Sequence, residues 1–454
     1  MARDLTQGSI LKNLLIMSVP TMIGFSAQMV YDIVDIFWIG RISGEAIAGV
    51  TIFTTLFWIV DILNSIIGQS SISLISQGFG KKDFEGTSKA IEQTITFKFI
   101  VALISAVLVA SFLKPSLGFF TDDMKVMRSA LDYGYIRLFF LPMMFSSYSV
   151  NTALRCIGDA KSPMYIMMFT SVLNISLDPI MMFEKIPGTS IPGFGLGVFG
   201  AAVATVIAQS AAFLLGFYIL FSGKEGVKPR LSGLFRLDRA IDKKLLTIGL
   251  PTGLEGFFRN LSAVVVLKFV AFYGTAAVAA VGVTGRLFGL AFMPLVGLSM
   301  GGSAMVGQNL GADNADRARA TARTAALIGF FFMFFFALIA FFAGEHVIAV
   351  FNKDPEIIAY GASFLKYGSL GISVLAYGFG LSSVFGGSGY NFPFVVGSVV
   401  SRWLIQVPIL VIAVFVLKAG IVWVWLSYVF SDIAEAAVMV FYYLKGKWVK
   451  RRVY

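Results

Sequence analysis

The sequence predicts an all-α polytopic membrane protein whose twelve transmembrane helices form two pseudo-symmetric six-helix bundles around a central cleft. The composition, the spacing of long apolar segments and an internal repeat lead to this prediction. Of the 454 residues, 57% are hydrophobic and only 13% are charged, and Phe alone occurs 45 times. A soluble chain carries about 25% charged residues, and no globular core of this size hides so much apolar surface from water.

The composition also excludes several kinds of site. One cysteine, Cys156, cannot form an intramolecular disulfide, and one histidine, His346, argues against a His-based metal site or catalytic triad. A net charge of +11 would suggest nucleic-acid binding in a soluble protein. Here most Lys and Arg lie in short stretches between apolar runs, where they set membrane topology. We expect a protein that is not an enzyme and has no cofactor and no nucleic-acid partner.

Twelve apolar segments are long enough to cross a bilayer, which takes about 20 residues. The most basic stretch of the chain separates the first six from the last six. We therefore expect an N-terminal six-helix bundle over 1–222, a cytoplasmic linker over 223–244 and a C-terminal six-helix bundle over 245–454. The predicted spans begin near Ile10, Ala46, Phe97, Tyr133, Pro163, Gly197, Leu245, Ala276, Thr324, Tyr360, Pro393 and Gly420.

The distribution of basic residues predicts the orientation in the membrane. Of the 36 Lys and Arg residues, twenty-two, from Arg3 to Arg452, lie beside the ends of spans that face one side of the membrane, and only seven lie beside the opposite ends. The others lie inside spans. Both termini should therefore be cytoplasmic, as an even number of spans also requires. We expect a monomer in the cell (inner) membrane, in contact with its lipids. The linker is interpreted as a segment lying on anionic headgroups, with an acidic partner as the alternative.

The two halves resemble each other at a constant offset. Pro20 and Pro251 lie 231 residues apart in similar apolar segments, and Gln77 and Gln308 are separated by the same distance. Each repeat contains six spans, so the two repeats run in the same direction. This arrangement is typical of transporters that rock two bundles about a central site. A duplicated channel or a structural bundle is the alternative.

Acidic residues inside the spans are candidates for function, because each intramembrane charge costs at least about 3 kcal/mol. In span 7, Glu255 precedes Arg259 by one helical turn, which favours an ion pair over an ion-binding site. Arg286 and Lys366 are candidate partners for the two acids of span 12. The acids placed inside spans are Asp32, Asp35, Asp61, Asp178, Glu255, Asp432 and Glu435.

Spans 1 and 5 carry the most informative polar residues. Asp35 lies in span 1, whereas Asn174 and Asp178 lie one turn apart in span 5, directly before Pro179. If the two spans meet, these side chains form an oxygen-rich cluster, and the proline frees carbonyl groups beside it. Two carboxylates in a dry site cannot both stay ionised without a cation, so the pair can hold a proton or a sodium ion. Interhelical hydrogen bonding alone is the alternative.

Four short segments carry a resemblance to a known family. DIFWIG (35–40), NISLDP (174–179), GAAVAT (200–205) and VGQNLGA (306–312), together with the spans and the repeat, resemble the MATE transporters, the multidrug and toxic compound extrusion family. The resemblance covers essentially the whole chain. It implies export of amphipathic, often cationic compounds by alternating access, driven by inward flow of Na⁺ or H⁺.

The resemblance also implies site residues. In the prokaryotic branch with an N-terminal-bundle site, Asp35 matches the helix-1 aspartate, Asn174 and Asp178 match the helix-5 pair, and Thr205 matches the helix-6 hydroxyl. These four would bind a proton or Na⁺. Tyr31 and Tyr133 match hydrogen-bonding tyrosines, and Pro20 matches the proline at which helix 1 bends. A second branch uses a C-terminal-bundle site, for which Glu255 would supply the helix-7 acid. Span 10 departs from that pattern because it offers Tyr377 and no acid.

Two other functions remain as alternatives. A flippase for lipid-linked saccharides shares this plan of spans, but it predicts a cationic cavity for pyrophosphate, whereas the N-terminal spans are acidic. A membrane enzyme or scaffold is the second alternative. The sequence does not distinguish Na⁺ from H⁺ coupling, nor does it identify the physiological substrate.

Overall fold

A computed structural model describes residues 4–224 and 226–454 of the chain. Over these residues the chain forms sixteen α-helices and no β-strand, with only two isolated β-bridges. The prediction of an all-α fold is therefore confirmed. Arg3, which contributes to the predicted topology, and residue 225 of the predicted linker lie outside the described residues.

The helices follow one another with short connections. The first half contains α1 (Ile10–Gly40), α2 (Gly44–Gly80), α3 (Phe84–Phe120), α4 (Met124–Phe139), α5 (Leu141–Cys156), α6 (Lys161–Met182) and α7 (Gly197–Phe221). The second half contains α8 (Arg239–Ala271), α9 (Thr275–Gly311), α10 (Ala315–Phe351), α11 (Pro355–Gly368), α12 (Ile372–Leu381), α13 (Ser383–Ser388), α14 (Phe392–Ser398), α15 (Val407–Val411) and α16 (Val422–Lys445). Two π-helical segments, Val399–Gln406 and Ile412–Val416, flank α15, and short 3₁₀ helices cover Leu231–Phe235 and Lys447–Lys450.

All twelve predicted spans coincide with helical segments. Within the described residues, nine helices are long and apolar enough to cross a membrane, and a tenth span results if α11 and the following Ile372–Ser388, bent by 51°, count as one. The other two predicted spans are α8 and the pair α4 and α5. Span 4 is divided at Phe140, because Pro142 in the first turn of α5 cannot donate a backbone hydrogen bond to the preceding turn.

The contacts of the chain define two compact units. The first unit contains residues 23–71 and 83–246, and the second contains 4–22, 72–82 and 247–454. The start of α1 and the end of α2 therefore belong to the second unit, although both helices lie in the first half of the sequence. The boundaries 1–222, 223–244 and 245–454 stay a prediction.

The core of the first unit is built from apolar residues of all seven helices, α1 to α7. Phe53 of α2 and Tyr133 of α4 are 1% and 2% exposed, and their ring centres are 5.7 Å apart in an edge-on arrangement. A Cβ atom at Gly134 would lie 2.7 Å from the Phe53 ring, so the absence of a side chain there permits the close packing. This packing fixes the position of Tyr133, which reaches the candidate site described below.

The linker that joins the halves is bound to α3 of the first unit. Glu92 Oε1 accepts a hydrogen bond from the Arg230 backbone N–H at 2.5 Å, and Gln93 Oε1 accepts one from the Asp238 N–H at 2.8 Å. The apolar residues Phe235 and Leu237 are 89% and 59% exposed. Contact of this segment with lipid headgroups stays a prediction.

An ion pair ties the start of the linker to the loop before α6. Asp159 is buried, accepts hydrogen bonds from the Ser162 hydroxyl at 2.7 Å and from the Ser162 N–H at 3.0 Å, and pairs with Lys224. Burial opposes ionisation of Asp159, but the hydrogen bonds from Lys224 and Ser162 outweigh it and hold the pKa of the carboxyl group below its ordinary value. The ionised carboxylate therefore stabilises the fold.

We expect Asp159→Asn to lower the stability of the protein by about 1–3 kcal/mol at neutral pH, because the ionised carboxylate accepts several hydrogen bonds. A depressed pKa stabilises the fold fully above the unfolded-state value of about 4, and this contribution disappears as the pH falls. The difference in Tm between Asp159→Asn and the wild type should therefore shrink between pH 6 and pH 3. Asp316→Asn is the control, because Asp316 is exposed and, within the described part of the chain, forms an ion pair only with Arg319. A difference that does not change with pH would contradict this explanation.

The internal repeat reappears as a symmetric helix crossing in the second unit. A Cβ atom at Gly80, near the end of α2, would lie 2.0 Å from the Gln308 carbonyl oxygen of α9. A Cβ atom at Gly311 would lie 2.0 Å from the Gln77 carbonyl oxygen. Gly80 and Gly311, like the two glutamines, are related by the offset of the repeat. The side chain of each glutamine then accepts a backbone hydrogen bond from one end of the chain: Gln308 from Leu5 at 3.2 Å and Gln77 from Val453 at 3.1 Å.

We expect Gly311→Ala to lower the Tm of the purified protein, because the two helix backbones must separate to admit the methyl group. Gly80→Ala should act in the same way. Gly282→Ala in the same helix, α9, meets open space and should leave the Tm unchanged or raise it slightly. Equal Tm values for Gly311→Ala and Gly282→Ala would show that the crossing is not as tight as the backbone geometry indicates.

Candidate ion-coupling and substrate site

Four polar side chains predicted from the sequence lie together in the first unit. Asp35 comes from α1, Asn174 and Asp178 from α6, and Thr205 from α7, and all four are at most 7% exposed. The Asn174 amide donates to Asp178 Oδ1 at 3.3 Å and to the Thr205 hydroxyl at 3.4 Å. Asp35 lines the same cavity as Thr205 and as Thr170 of α6. The structure thus brings span 1 and span 5 together.

The cluster contains more oxygen atoms than hydrogen-bond donors. Asp35 Oδ1, Asp178 Oδ2 and Asn174 Oδ1 are buried without a hydrogen-bond partner among the described residues. The Thr205 hydroxyl donates to the Ala201 carbonyl at 3.0 Å, so its oxygen is available as an acceptor. Buried polar atoms are nearly always satisfied in native proteins. Unpartnered carboxylate and amide oxygens therefore suit a proton or a small cation.

The donor set fits Na⁺ better than a transition metal. In the part of the chain that the structure describes, no group of three or more His, Cys, Asp or Glu side chains could hold a metal ion. Asp35, Asn174, Asp178 and Thr205 offer only oxygen, the ligand type that hard cations prefer. The same oxygens can also bind a proton, so their chemistry does not select between the two ions.

The two tyrosines implied by the resemblance are placed differently. The Tyr133 hydroxyl donates to Asp35 Oδ2 at 3.4 Å and accepts from Arg137 Nη1 at 2.8 Å. The Tyr31 hydroxyl accepts from the Gln209 amide at 3.2 Å. Tyr133 therefore contacts the cluster directly, whereas Tyr31 is held beside it through Gln209. Pro20 lies inside α1, which is helical from Ile10 to Gly40, and the bend at this residue stays a prediction.

Arg137 is a member of the site that the sequence analysis did not single out. It lies in α4, one turn after Tyr133, with its guanidinium 5.4 Å from the centre of the Phe57 ring. Its charge acts on Asp35 and also on Asp32 and Asp61, two acids of previously unassigned role. The rule that directs attention to intramembrane acids applies equally to an intramembrane arginine, and it would have found this residue.

Beside the cluster, the first unit contains a cavity of about 500 Å³. This volume is in the range that accommodates drug-sized ligands. Asp35 and Thr205 belong to its wall, so a ligand in the cavity would lie next to these two residues of the cluster. Other lining residues are Phe25, Gln28, Tyr31, Asp32, Asp61, Tyr133, Arg137, Tyr148, Arg155 and Gln209.

The description of the N-terminal spans as acidic is incomplete. Arg137 and Arg155 line the same cavity as the acids, and Lys98 is buried against Tyr148 in its wall. Arg155 is one of the twenty-two basic residues that the sequence places at the cytoplasmic ends of the spans, because it lies near the end of an apolar segment. It is only 3% exposed, because the last turn of α5 faces the interior of the unit.

In the second unit, the acids of α8 and α16 form a network with arginines. Arg259 pairs with Glu255 at 2.5 Å, which confirms the predicted ion pair, and also with Glu435 at 2.6 Å. The proposal that Arg286 or Lys366 would meet the span 12 acids is wrong. The partners are Arg259 and Arg402, and the latter lies 3.7 Å from Asp432 and 3.6 Å from Glu435. Arg402 reaches α16 from the π-helical segment, whose winding departs from the 3.6-residue period.

The two residues considered for a C-terminal-bundle site lie in different surroundings. Glu255 is engaged by Arg259. Tyr377 of α12 packs against the apolar cluster that contains Leu381 and Phe385. No hydrogen bond joins Glu255 and Tyr377 among the described residues. The structure therefore does not bring them together as one site.

Comparison with known proteins agrees with this architecture. The MatE family model matches residues 20–180 and 251–412, and the two matches begin at the repeat-related Pro20 and Pro251. The chain is 26% identical to the probable multidrug resistance protein YoeA of Bacillus subtilis, over 98% of this chain and 96% of that protein. It is also 26% identical to the probable multidrug resistance protein NorM of Thermotoga maritima, over 97% and 94% respectively. A crystal structure of MATE in complex with MaD3S has the same fold, with a TM-score of 0.89 over 97% of both chains at 22% identity.

The apolar helices, the internal repeat and the match of the family model to both halves together define a membrane transporter. The chain belongs to the MATE (MatE) family, whose members are transporters and not enzymes. The resemblance stated from the sequence motifs is confirmed.

Proposed function

We propose that the protein is a secondary active multidrug antiporter, which exports amphipathic and often cationic compounds in exchange for H⁺ or Na⁺. The observation that carries this proposal is the buried cluster of Asp35 and Asp178, with its unpartnered oxygens, beside a cavity of about 500 Å³. A carboxylate pair of this kind can bind a cation from either side of the membrane. The names of the relatives, which are multidrug resistance proteins, support drugs as the substrates.

The mechanism follows from competition between two positive charges. With the carboxylates ionised, the cavity attracts a cationic ligand next to Asp35. Binding of a proton or Na⁺ between Asp35 and Asp178 neutralises the pair and weakens this attraction. If the ion and the ligand prefer different conformations of the bundles, the ion gradient drives alternating access. We propose that α1 bends at Pro20 during this step, because proline weakens the helix there.

The setting of the protein is part of the proposal. The excess of basic residues on one set of flanks supports cytoplasmic termini and insertion into the inner membrane, in contact with its lipids. We also propose that the protein acts as a monomer.

Transport by the purified protein tests the proposal. The full chain would be incorporated into liposomes, and ethidium movement would be followed under a Na⁺ gradient alone and under an H⁺ gradient alone. We expect at least one gradient to drive ethidium against its concentration difference. Absence of transport under both gradients would reject the antiporter. Movement of a lipid-linked saccharide without ethidium transport would support the flippase instead.

A further inference from the structure

Two buried cations that the proposed ion coupling does not use lie at one part of the cavity wall: Arg155 lines the cavity, and Lys98 lies behind the lining residue Tyr148. Lys98 of α3 is 0% exposed, and its ammonium group has no hydrogen-bond partner among the described residues. Its Nζ lies 4.4 Å from the centre of the Tyr148 ring, which lines the cavity. A lysine buried in this way is costly, and an intramembrane cation without a carboxylate partner is a candidate for ligand binding.

Arg155 of α5 is the second of these cations. It is 3% exposed, lines the cavity and donates from Nη2 to the Thr152 hydroxyl at 3.0 Å. In the described part of the chain, neither Arg155 nor Lys98 forms an ion pair with a carboxylate. The positive charge of Arg155 repels that of Lys98, whereas Asp61, which is not within ion-pair distance, attracts it. Since no carboxylate among the described residues lies within ion-pair distance of either cation, the two together create an environment that favours an anion.

The surrounding side chains fit a polar aromatic ligand. Asn64 and Asn151 line the cavity, and each has a buried carbonyl oxygen without a partner among the described residues. Phe25 stands 5.7 Å from the Arg155 guanidinium and also lines the cavity. A Cβ atom at Gly68 would lie 2.9 Å from the Tyr148 ring and 3.5 Å from Lys98 Nζ. The glycine thus leaves room for the ring and the ammonium group to lie together.

We propose that Lys98, Arg155 and Tyr148 form an anion pocket, which binds the carboxylate or phosphate group of aromatic substrates. This inference rests on the proposed transport function and specifies a substrate class for the same cavity. Arginine suits planar and phosphate anions, because its guanidinium donates several hydrogen bonds in a fixed geometry. The acids toward α1 remain available for a positive group. The cavity therefore takes aromatic compounds that carry an acidic group, including zwitterions.

Rhodamine B and its ethyl ester test the anion pocket, because they differ only in whether the carboxyl group is free. Binding of both dyes to the purified full-length protein would be measured by fluorescence anisotropy. We expect the wild type to bind the free acid more tightly than the ester, and Lys98→Met and Arg155→Met each to weaken binding of the acid about tenfold, the effect of one charged hydrogen bond. Affinity for the ester should remain within about twofold of the wild type, because the ester makes no such bond.

Two further variants separate charge from structure. Lys98→Arg should retain the preference for the acid, because it keeps the positive charge. Lys366→Met is the matched control, because Lys366 also lies over an aromatic ring. Lys366 belongs to the second unit, so its replacement should change the affinity for neither dye. Equal affinity of the wild type for acid and ester, or equal losses of both dyes in Lys98→Met, would overturn the anion pocket. Ethidium transport by the wild type tests the antiporter separately. If the wild type transports ethidium but the anion pocket is overturned, the antiporter stands; if the wild type does not transport ethidium, the antiporter itself is rejected.

Discussion

Asp178→Asn is expected to reduce ion-driven export of ethidium by about 100-fold, near the upper end of typical coupling free energies. The amide keeps the shape of the side chain and removes the negative charge that a proton or Na⁺ would neutralise. Asp178 is completely buried and holds one oxygen without a hydrogen-bond partner among the described residues. Its substitution therefore removes the ion site and leaves the cavity wall in place. Asp35→Asn should have the same effect, because the remaining carboxylate of Asp178 cannot form the ion-binding pair alone.

The measurement is ethidium export from proteoliposomes under the gradient that drives the wild type. Ser176→Ala is the matched control in the same helix, because Ser176 is exposed and its hydroxyl, among the residues that the structure describes, bonds only to the Val172 carbonyl within α6. Export at the wild-type rate is expected for this control. Wild-type export by a folded Asp178→Asn protein would show that the cluster does not couple the ion to transport.

Arg137→Met is expected to lower the ion concentration at half-maximal transport about tenfold, equivalent to ~1.4 kcal/mol. The guanidinium repels any cation that approaches Asp35, Asp32 or Asp61, because its charge acts on all three. Its removal should make the carboxylates hold the coupling ion more tightly. Maximal turnover should then fall, because the ion leaves more slowly.

This prediction is checked by measuring the initial rate of export against the concentration of the driving ion. Arg137→Lys retains the positive charge and should stay closer to the wild type in half-saturation. It loses part of the contact with Tyr133, because lysine cannot reproduce the fork of the guanidinium. An unchanged half-saturation in Arg137→Met, with a normal Tm, would contradict an electrostatic role for the arginine.

Much of the fold could be predicted from the sequence because the bilayer imposes strong patterns. The order of the spans follows from the apolar runs, although α3 begins 13 residues and α10 nine residues before the predicted starts at Phe97 and Thr324. The repeat that relates Pro20 to Pro251 is visible without any structure. The division of span 4 at Phe140 was not predicted, although Pro142 marks it. The assignment of the start of α1 and the end of α2 to the second unit could not be predicted either, because it depends on packing between residues far apart in the sequence.

The candidate site was predicted only in part. Asp35, Asn174 and Asp178 stand out because polar residues are rare inside apolar spans. Lys98, Arg137 and Arg155 satisfy the same criterion. Arg155 was missed because basic residues near span ends also serve topology, whereas Lys98 and Arg137 were counted inside spans but only acids were treated as candidates for function. The partners of Asp432 and Glu435 were assigned incorrectly, because the π-helical segment turns Arg402 toward α16 and no regular period indicates that turn.

The most direct test of ion coupling is the dependence of ethidium affinity on the concentration of the coupling ion. If ion and ligand compete through Asp35 and Asp178, their effects on each other are reciprocal. Ethidium binding to the purified protein would be titrated at a series of Na⁺ concentrations and pH values. The expected result is an affinity that falls as Na⁺ or H⁺ rises in the wild type and that does not vary in the double variant Asp35→Asn/Asp178→Asn. An identical ion dependence in the wild type and the double variant would contradict the assignment of the coupling site.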